Sequence, residues 1–552
     1  MLAVVFVSSA TAVVFAVGRT NPDSNPAVAA RDTLGEFMAA WSTGDLRGMY
    51  GLISPQARAG HSFASFRSSY RAEAAEAGLV RVTTVSPPRG HGAVEHVRVR
   101  LQTRHFGSPV VNWQVPMVEA PGGLRVAWTA TMAWPGLRRG EHLERKVLVP
   151  ARRGIIFSRD MTALAEGPAV HRVYPQGAVF SRLTGYVQGP QTPTATAARA
   201  KIGWPSTTPY GQGGLEQSLD PILAGVPTIQ LTATGNGATR VIAMRAGRKP
   251  ENVVTTLDPT LQADTVNLLG DREGGIVVLD PSTGGLLASA GLGMDTLQPP
   301  GSSFKTITGS AALTAGLVSL DTTYPYEHFV EIDGWKLRNF HFELCGGTLV
   351  QAFANSCNSV YAPLADRVGA KRLVTMANAF GFNRKPTIAY PVPTSVAPGP
   401  QSIQSPLQIG IAGIGQGGVD ASPLQMASVA SVIGEGGILR PPYLIQKPDS
   451  SSDRQASKRI ISPTVAGDMT TMMEAVVSYG TGTSAAIGGV TVAGKTGTAE
   501  VGGKGTKSDA WFICFAPVGA PKVAVAVMLV HGGVGGKEAA PLARQVLEAA
   551  LQ

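Results

Sequence analysis

Cysteine, clustered charge and metal-ligand spacings are what this 552-residue sequence has least of. Its 3 cysteines, Cys345, Cys357 and Cys514, never fall in the Cys-x-x-Cys spacing of a zinc or redox site, so a cysteine-built metal fold is excluded. The 9 histidines are scattered, and the closest pair, His91 and His96, has no carboxylate or cysteine arrangement to complete a ligand set. No metal and no cofactor is expected. The formal charge of +10 is spread along the chain without a block of like charges, which removes the concentrated basic stripe of a nucleic-acid binder. A dispersed basic surface is either simply solvated or drawn to anionic lipid headgroups and wall polymers.

Apolar residues are plentiful. They make up 44% of the chain and charged residues 15%, the balance of a folded globular protein, and the length calls for roughly three or four domains.

The chain is organised around Pro300-Gly301-Ser302-Ser303-Phe304-Lys305-Thr306, a glycine-marked turn running into an apolar segment, Ile307 to Leu313, of helical composition. Residues three apart share a helix face, so the amine of Lys305 can lie against the hydroxyl of Ser302 while first-turn N–H groups surround it. A serine beside an amine in that setting is a candidate nucleophile. A serine at a helix start is more often an N-cap, and Ser-x-x-Lys alone recurs by chance about once in a chain this long. Two further motifs decide between these readings: Ser356-Cys357-Asn358 and, 139 positions after Ser356, Lys495-Thr496-Gly497-Thr498. The three together are those of penicillin-binding proteins and class A β-lactamases.

With its flanking residues the chain resembles the transpeptidase domain of penicillin-binding proteins. The likeness runs through Val490 to Gly494 before the Lys-Thr-Gly and Ala499-Glu500 after it. It includes Gly415-Gln416-Gly417 followed by Ser422-Pro423-Leu424-Gln425-Met426-Ala427, where family members usually carry threonine in place of Ser422. The resemblance implies D,D-transpeptidation: Ser302 attacks a terminal D-alanyl-D-alanine, D-alanine leaves, and an amine on a neighbouring peptidoglycan stem peptide takes the acyl group. β-Lactams acylate the same serine. A free serine hydroxyl is a weak nucleophile, so Lys305 must be neutral for part of the cycle. Burial, the helix start and nearby Lys495 favour that form. By the resemblance, Ser356 relays a proton to the leaving amine, Asn358 holds the substrate amide and the lysine, and the N–H groups of Ser302 and Thr498 form the oxyanion hole. Gly497 admits a substrate backbone, while Lys495 and a threonine hydroxyl, Thr496 or Thr498, face a carboxylate. Cys345 and Cys357, twelve positions apart in an exported domain, are candidates for a disulfide, whereas Cys514 in an apolar strand should stay reduced.

The expected class is α+β and multidomain. Residues 1–18 contain an uncharged apolar run, Leu2 to Val17, with no lysine or arginine before it, compatible with a membrane anchor or a signal peptide; either means export, with the catalytic domain on the extracytoplasmic face of the plasma membrane. Residues 19–27 read as a polar linker. In residues 28–136, Leu34, Phe37, Met38 and Trp41, then Leu46, Met49, Tyr50 and Ile53, recur at helical spacing; strand-like runs follow at Val97–Leu101, Val110–Val115 and Leu124–Met132. This order, with Phe-x-x-x-Trp ahead of Gly44-Asp45, resembles an NTF2-like domain, an α+β cone read here as a spacer whose rings form core. Residues 142–249 carry Arg152-Arg153-Gly154-Ile155-Ile156, Tyr174-Pro175-Gln176-Gly177, Leu183-Thr184-Gly185-Tyr186 and Gly214-Leu215-Glu216, and resemble the dimerisation domain of class B penicillin-binding proteins, a β-rich pedestal with strands at Leu143–Pro150 and Arg240–Met244. In residues 252–552 a sheet is expected from Ile276–Asp280, Leu286–Ala290, Trp511–Phe515 and Val523–Val530, closed by a helix over Ala540–Leu551 with Pro541 in its first turn. Helices should cover its faces.

Beside the transpeptidase stand a D,D-carboxypeptidase or β-lactamase that passes the acyl group to water, a β-lactam sensor and a non-catalytic scaffold. The pattern Glu-x-x-Leu-Asn of class A β-lactamases is absent from the sequence. Ser-x-Asn in place of the sensors' Ser-x-Val argues against a sensor, and a complete trio of motifs against a scaffold. The resemblance further implies a cell-wall glycosyltransferase as partner.

Overall fold

The computed structural model describes residues 26–189, 192–449, 452–502 and 506–552. The apolar run Leu2–Val17 and the linker residues before Pro26 lie outside them, and among the described residues no helix is long and apolar enough to cross a membrane. Contacts divide the chain into two compact units. One gathers the described residues up to Val149 with Arg199–Pro205 and Pro227–Arg248; the other takes Pro150–Ala198, Ser206–Val226 and Lys249–Gln552. The segment 142–249, expected as one pedestal, thus contributes to both.

The first unit opens with helices α1 (Pro26–Thr43), α2 (Leu46–Gly51), α3 (Pro55–Gly60) and α4 (Phe63–Ala77). Strands β1 (Leu79–Gly90), β2 (Val94–Thr103), β3 (Val110–Ala120) and β4 (Gly123–Val126) then form an antiparallel sheet in chain order. The apolar face of α1 buries Leu34, Phe37, Met38 and Trp41, and Trp41 meets Trp113 with centroids 5.4 Å apart. Phe37 and Trp41 are therefore core, while Tyr50 is half-buried against Phe63 and Phe66 and donates its hydroxyl to the His61 carbonyl. β1 lacks a clean alternation because Pro87 and Pro88 interrupt it, and the pairing slips there; prolines are tolerated because β1 is an edge strand. The expected strand over Leu124–Met132 stops at Val126: the Trp128 N–H returns to the Val126 carbonyl, and a 3₁₀ turn occupies Ala130–Ala133. A second sheet joins β5 (His142–Leu148), β6 (Thr228–Gly235) and β7 (Ala238–Arg245), with β6 in the middle.

In the second unit, α5 (Pro259–Leu269), capped by Asp258, leads into an antiparallel sheet ordered β9-β8-β12-β11-β10. Its strands are β8 (Gly274–Leu279), β9 (Leu286–Gly291), β10 (Ala493–Ala499), β11 (Asp509–Ala516) and β12 (Val523–Leu529). Every residue of β11 and β12 is buried, which explains their unbroken apolar sequence: strand side chains alternate between faces, and both faces are covered. Ile276, Val278, Phe512 and Val527 pack toward α5 and the closing helix, and Val277, Ile513 and Ala526 toward the catalytic side. There α6 (Lys305–Thr314), α7 (Leu349–Ala354), α8 (Asn358–Val368), α9 (Pro423–Gly434) and α10 (Pro463–Ser478) assemble the larger core. The closing helix α11 starts earlier than its sequence pattern indicates, at Gly535, so Pro541 sits inside it and not in its first turn. Gly535 and Gly536 hide that start in the sequence, being small enough to pass the Gly497 and Thr481 carbonyls.

The Arg-Arg-Gly segment anchors a buried ionic cluster. Arg153 donates to Glu216 and Asp220, and Arg172 to Glu216 at 2.7 Å. Glu216 is fully buried between two guanidiniums, so removing one partner leaves charge without compensation. Arg153→Ala should therefore lower stability by about 3–5 kcal/mol. Arg182→Ala, whose partner Asp295 lies in a solvent-exposed pair, should cost about 0–1 kcal/mol. Denaturant unfolding of the two variants side by side checks the difference.

Candidate active site

The serine turn is clamped by backbone on both sides. Gly301 to Phe304 form one turn of 3₁₀ helix, Gly301 takes φ +52°, and its N–H donates to the Gly415 carbonyl at 3.0 Å. A Cβ on Gly301 would lie 2.8 Å from the Thr498 oxygen, and one on Gly497 would lie 2.5 Å from the Pro300 oxygen. Side chains are thus excluded at both places, and the turn lies directly along β10. Lys305 begins α6, whose residues from Lys305 to Leu313 are all buried. Ser302 is half-buried beside it.

Lys305 and Lys495 are both fully buried and share one hydroxyl. The Lys305 Nζ donates to the Ser356 carbonyl and to Asn358 Oδ1, each at 2.7 Å, and reaches Ser356 Oγ at 3.3 Å. Lys495 Nζ donates to Ser356 Oγ at 2.9 Å and to the Thr496 carbonyl at 3.0 Å. Among the described residues neither amine has a carboxylate within ion-pair distance. Burial, and then the neighbouring Lys495, hold the Lys305 amine well below the usual lysine range. Burial alone brings Lys495 down to about 7. The sequence places Lys305 against Ser302; in the structure its hydrogen bonds go to the Ser-Cys-Asn segment, and it follows the nucleophile where the 3₁₀ turn runs into α6.

Ser356 owes its position to strained backbone. It takes φ +60° between α7 and α8, a left-handed conformation that costs a non-glycine residue about 1–2 kcal/mol. Both sides are tied down. Thr348 and Gln351 close a capping box at the start of α7, and Cys357 is joined by a disulfide to Cys345, with Cα atoms 5.5 Å apart. Asn358 Nδ2 donates to the Arg338 carbonyl at 3.0 Å, which leaves its Oδ1 for Lys305. Cys514 is a free, buried thiol pushed up by burial.

Thr481 was not found from the sequence. Its Oγ1 lies 2.6 Å from Thr496 Oγ1 and 3.2 Å from the Ala354 carbonyl, joining the loop after α10 to β10. Gly480-Thr481-Gly482 reads as an ordinary turn, and only the fold brings it to the site. Thr498 Oγ1 accepts from the Gly535 N–H at 3.3 Å. A half-buried hydroxyl, a buried amine at the head of its helix, a second hydroxyl between two amines and a glycine-lined strand are a set suited to acyl transfer through a serine ester.

The chain matches the family pattern for the penicillin-binding protein transpeptidase domain over residues 274–548 and that for the penicillin-binding protein dimerisation domain over residues 158–252. It is 33% identical over 449 residues to the peptidoglycan D,D-transpeptidase PbpA of Mycobacterium tuberculosis, covering 69% of this chain and 84% of that one. Among solved structures, penicillin-binding protein A of M. tuberculosis in its ceftriaxone acyl-enzyme complex matches with TM-score 0.59 and 30% identity over 73% of this chain and 99% of that one. The D,D-transpeptidase domain of a peptidoglycan glycosyltransferase from Eggerthella lenta matches with TM-score 0.59 and 28% identity, over 73% and 98%.

The buried lysines predict how stability responds to pH. An unfolded lysine titrates near 10.4, so between about 7 and that value the folded chain binds fewer protons at Lys495 than the unfolded chain does. Stability of the unliganded protein should therefore rise with pH across this window. Lys495→Met should raise the melting temperature at pH 7 by a few degrees, roughly, and flatten that rise, as measured by scanning calorimetry from pH 6 to 10.

Proposed function

The chain belongs to the class B penicillin-binding proteins, with their transpeptidase and dimerisation domains, and from that membership we propose how its residues carry out the reaction. The protein is a peptidoglycan D,D-transpeptidase that β-lactams acylate. Ser302 Oγ attacks the carbonyl of the penultimate D-alanine and passes its proton to neutral Lys305. Ser356, within reach of both amines, hands a proton to the departing D-alanine nitrogen as the C–N bond breaks. The acyl-serine is then attacked by the acceptor amine, whose proton returns by the same route to Ser302 as the new amide forms. The N–H groups of Ser302 and Thr498 stabilise the oxyanion, Asn358 positions the substrate amide and Lys305, and Lys495 with the Thr496 and Thr498 hydroxyls receives the terminal carboxylate. The observation that carries this assignment is the pair of buried, carboxylate-free amines around Ser356 Oγ.

Release of the ester to water needs a base aimed at the acyl carbon. Glu343 and Glu500 are exposed, and neither is hydrogen-bonded to either lysine. This supports acyl transfer to an amine over the hydrolase alternatives. The Leu2–Val17 run is read as the tether to the plasma membrane, with the enzyme on the extracytoplasmic side, where the Cys345–Cys357 disulfide is stable. Residues 28–136 are read as an NTF2-like spacer, supported by helices followed by a four-stranded antiparallel sheet. A cell-wall glycosyltransferase is the partner that supplies nascent strands.

Ser302→Ala should abolish labelling by a fluorescent penicillin with the fold intact. In the wild type the penicilloyl ester should last minutes or longer, with consumption stopping near one equivalent. Mass spectrometry follows both, and turnover near about ten per second would establish a β-lactamase instead.

The acylation rate should also depend on pH from both sides. It rises as Lys305 loses its proton at a value held well below the lysine range, and falls as Lys495 loses the charge that holds the carboxylate, at about 7. Lys495→Arg, which stays charged, should remove the alkaline limb from a pH profile of kcat/KM.

A further inference from the structure

Six aromatic side chains stand exposed among the described residues, and four of them, Tyr326, Trp335, Phe340 and Phe342, lie within one short stretch. That stretch is a pair of two-stranded ribbons, Thr323–Glu327 with Cys345–Thr348 and Phe329–Ile332 with Trp335–Arg338. Apolar side chains so concentrated on a surface mark a contact site. Trp335, at the hairpin tip, is 69% exposed. The rings are held in order: Phe342 stacks on His328 with centroids 4.7 Å apart and planes within 10°, and Arg338 lies over Phe342 at 5.5 Å. His341 and Phe342 both take left-handed backbone, at φ +52° and +61°, so the loop presenting them is strained.

The ribbon is continuous with the catalytic groups. The Arg338 carbonyl accepts from Asn358 Nδ2, and buried Asn339 donates to the Glu327 carbonyl and to Ser359 Oγ, one residue beyond Asn358. A ligand lying on the rings therefore runs toward the acyl-serine. Its chemistry follows from what borders them. Glu327, Glu331 and Glu343 are exposed beside the aromatics, together with Lys336 and Arg338. This mixture disfavours a polyanion or an anionic membrane, both of which call for a basic face. Ring faces that cover pyranose C–H groups, edged by carboxylates that accept hydroxyl protons, suit a carbohydrate.

We propose that the aromatic ribbon over residues 323–348 is a subsite for the glycan backbone of peptidoglycan, holding the sugar chain of a substrate strand so that its stem peptide reaches Ser302. The proposal rests on the transpeptidase reading and adds to it a requirement for polymer. Its job is positioning: small ligands of the serine do not need it.

The test uses the whole chain with Trp335→Ala and Phe340→Ala, both at exposed positions. Binding to soluble, uncross-linked glycan strands is measured by sedimentation on a Ser302→Ala background, and cross-linking of the same strands on the active background. Penicillin acylation reports the state of the serine centre. Strand binding and the kcat/KM for cross-linking should each fall about tenfold, the scale of losing one aromatic anchor, while penicillin acylation stays within about twofold of wild type. Unchanged strand binding in both variants would overturn the proposal and leave a protein as the occupant. An equal loss of penicillin acylation would overturn it too, by showing that the ribbon merely supports Asn358. Failure of the transpeptidase reading looks different: the wild type would take no penicillin, whatever the strands do.

Discussion

Two amines share one hydroxyl in a place where, among the described residues, neither has a counter-ion, and the rest of the catalytic unit answers to that arrangement. Charged lysines do not stay buried and unpaired without cost, so Lys305 and Lys495 are held by carbonyl, amide and hydroxyl oxygens, with the Tyr361 ring 5.7 Å from the first amine and the Phe353 ring 5.4 Å from the second. Those oxygens must themselves be fixed. The Ser356 carbonyl and hydroxyl are aimed by a left-handed residue between two helices, and Asn358 is oriented by the Arg338 backbone. A carboxylate placed here would pair with Lys305, hold it protonated and remove the base that Ser302 needs. What raises the energy of the folded state is thus what makes the serine reactive.

Much of this was legible in the sequence, and the boundary of legibility is physical. The three motifs could be read because each is a local pattern with fixed residue types. The strands of the catalytic sheet could be read because full burial on both faces makes them uniformly apolar, as in Val523–Leu529. What escaped depends on contacts between distant segments. Thr481 gains meaning only from Thr496, and Arg153 only from Glu216, sixty-three positions on. β1 was hidden by Pro87 and Pro88, and the start of α11 by glycines chosen for close approach and not for helix propensity. Leu124–Met132 has strand composition throughout, yet its pairing ends at Val126, a limit set by its neighbours.

The division into two units adds a point about the linker region. Strands β5, β6 and β7 build a sheet with the first unit, while the Arg153–Glu216 cluster belongs with the catalytic one. The chain passes between the two bodies several times, at 149, 198, 205, 226 and 248, so neither unit is a single contiguous segment. Folding of either one depends on residues far along the chain, which raises contact order.

The glycine contacts at the serine turn have an evolutionary side. Around Gly301 and Gly497 main chain rests on main chain, and any side chain there would strike a carbonyl oxygen. Ordinary substitution therefore has little room to reshape the floor of the pocket without displacing the nucleophile. Variation that alters which acyl donors or inhibitors are accepted is channelled to side chains beside that floor, such as Thr481 against Thr496.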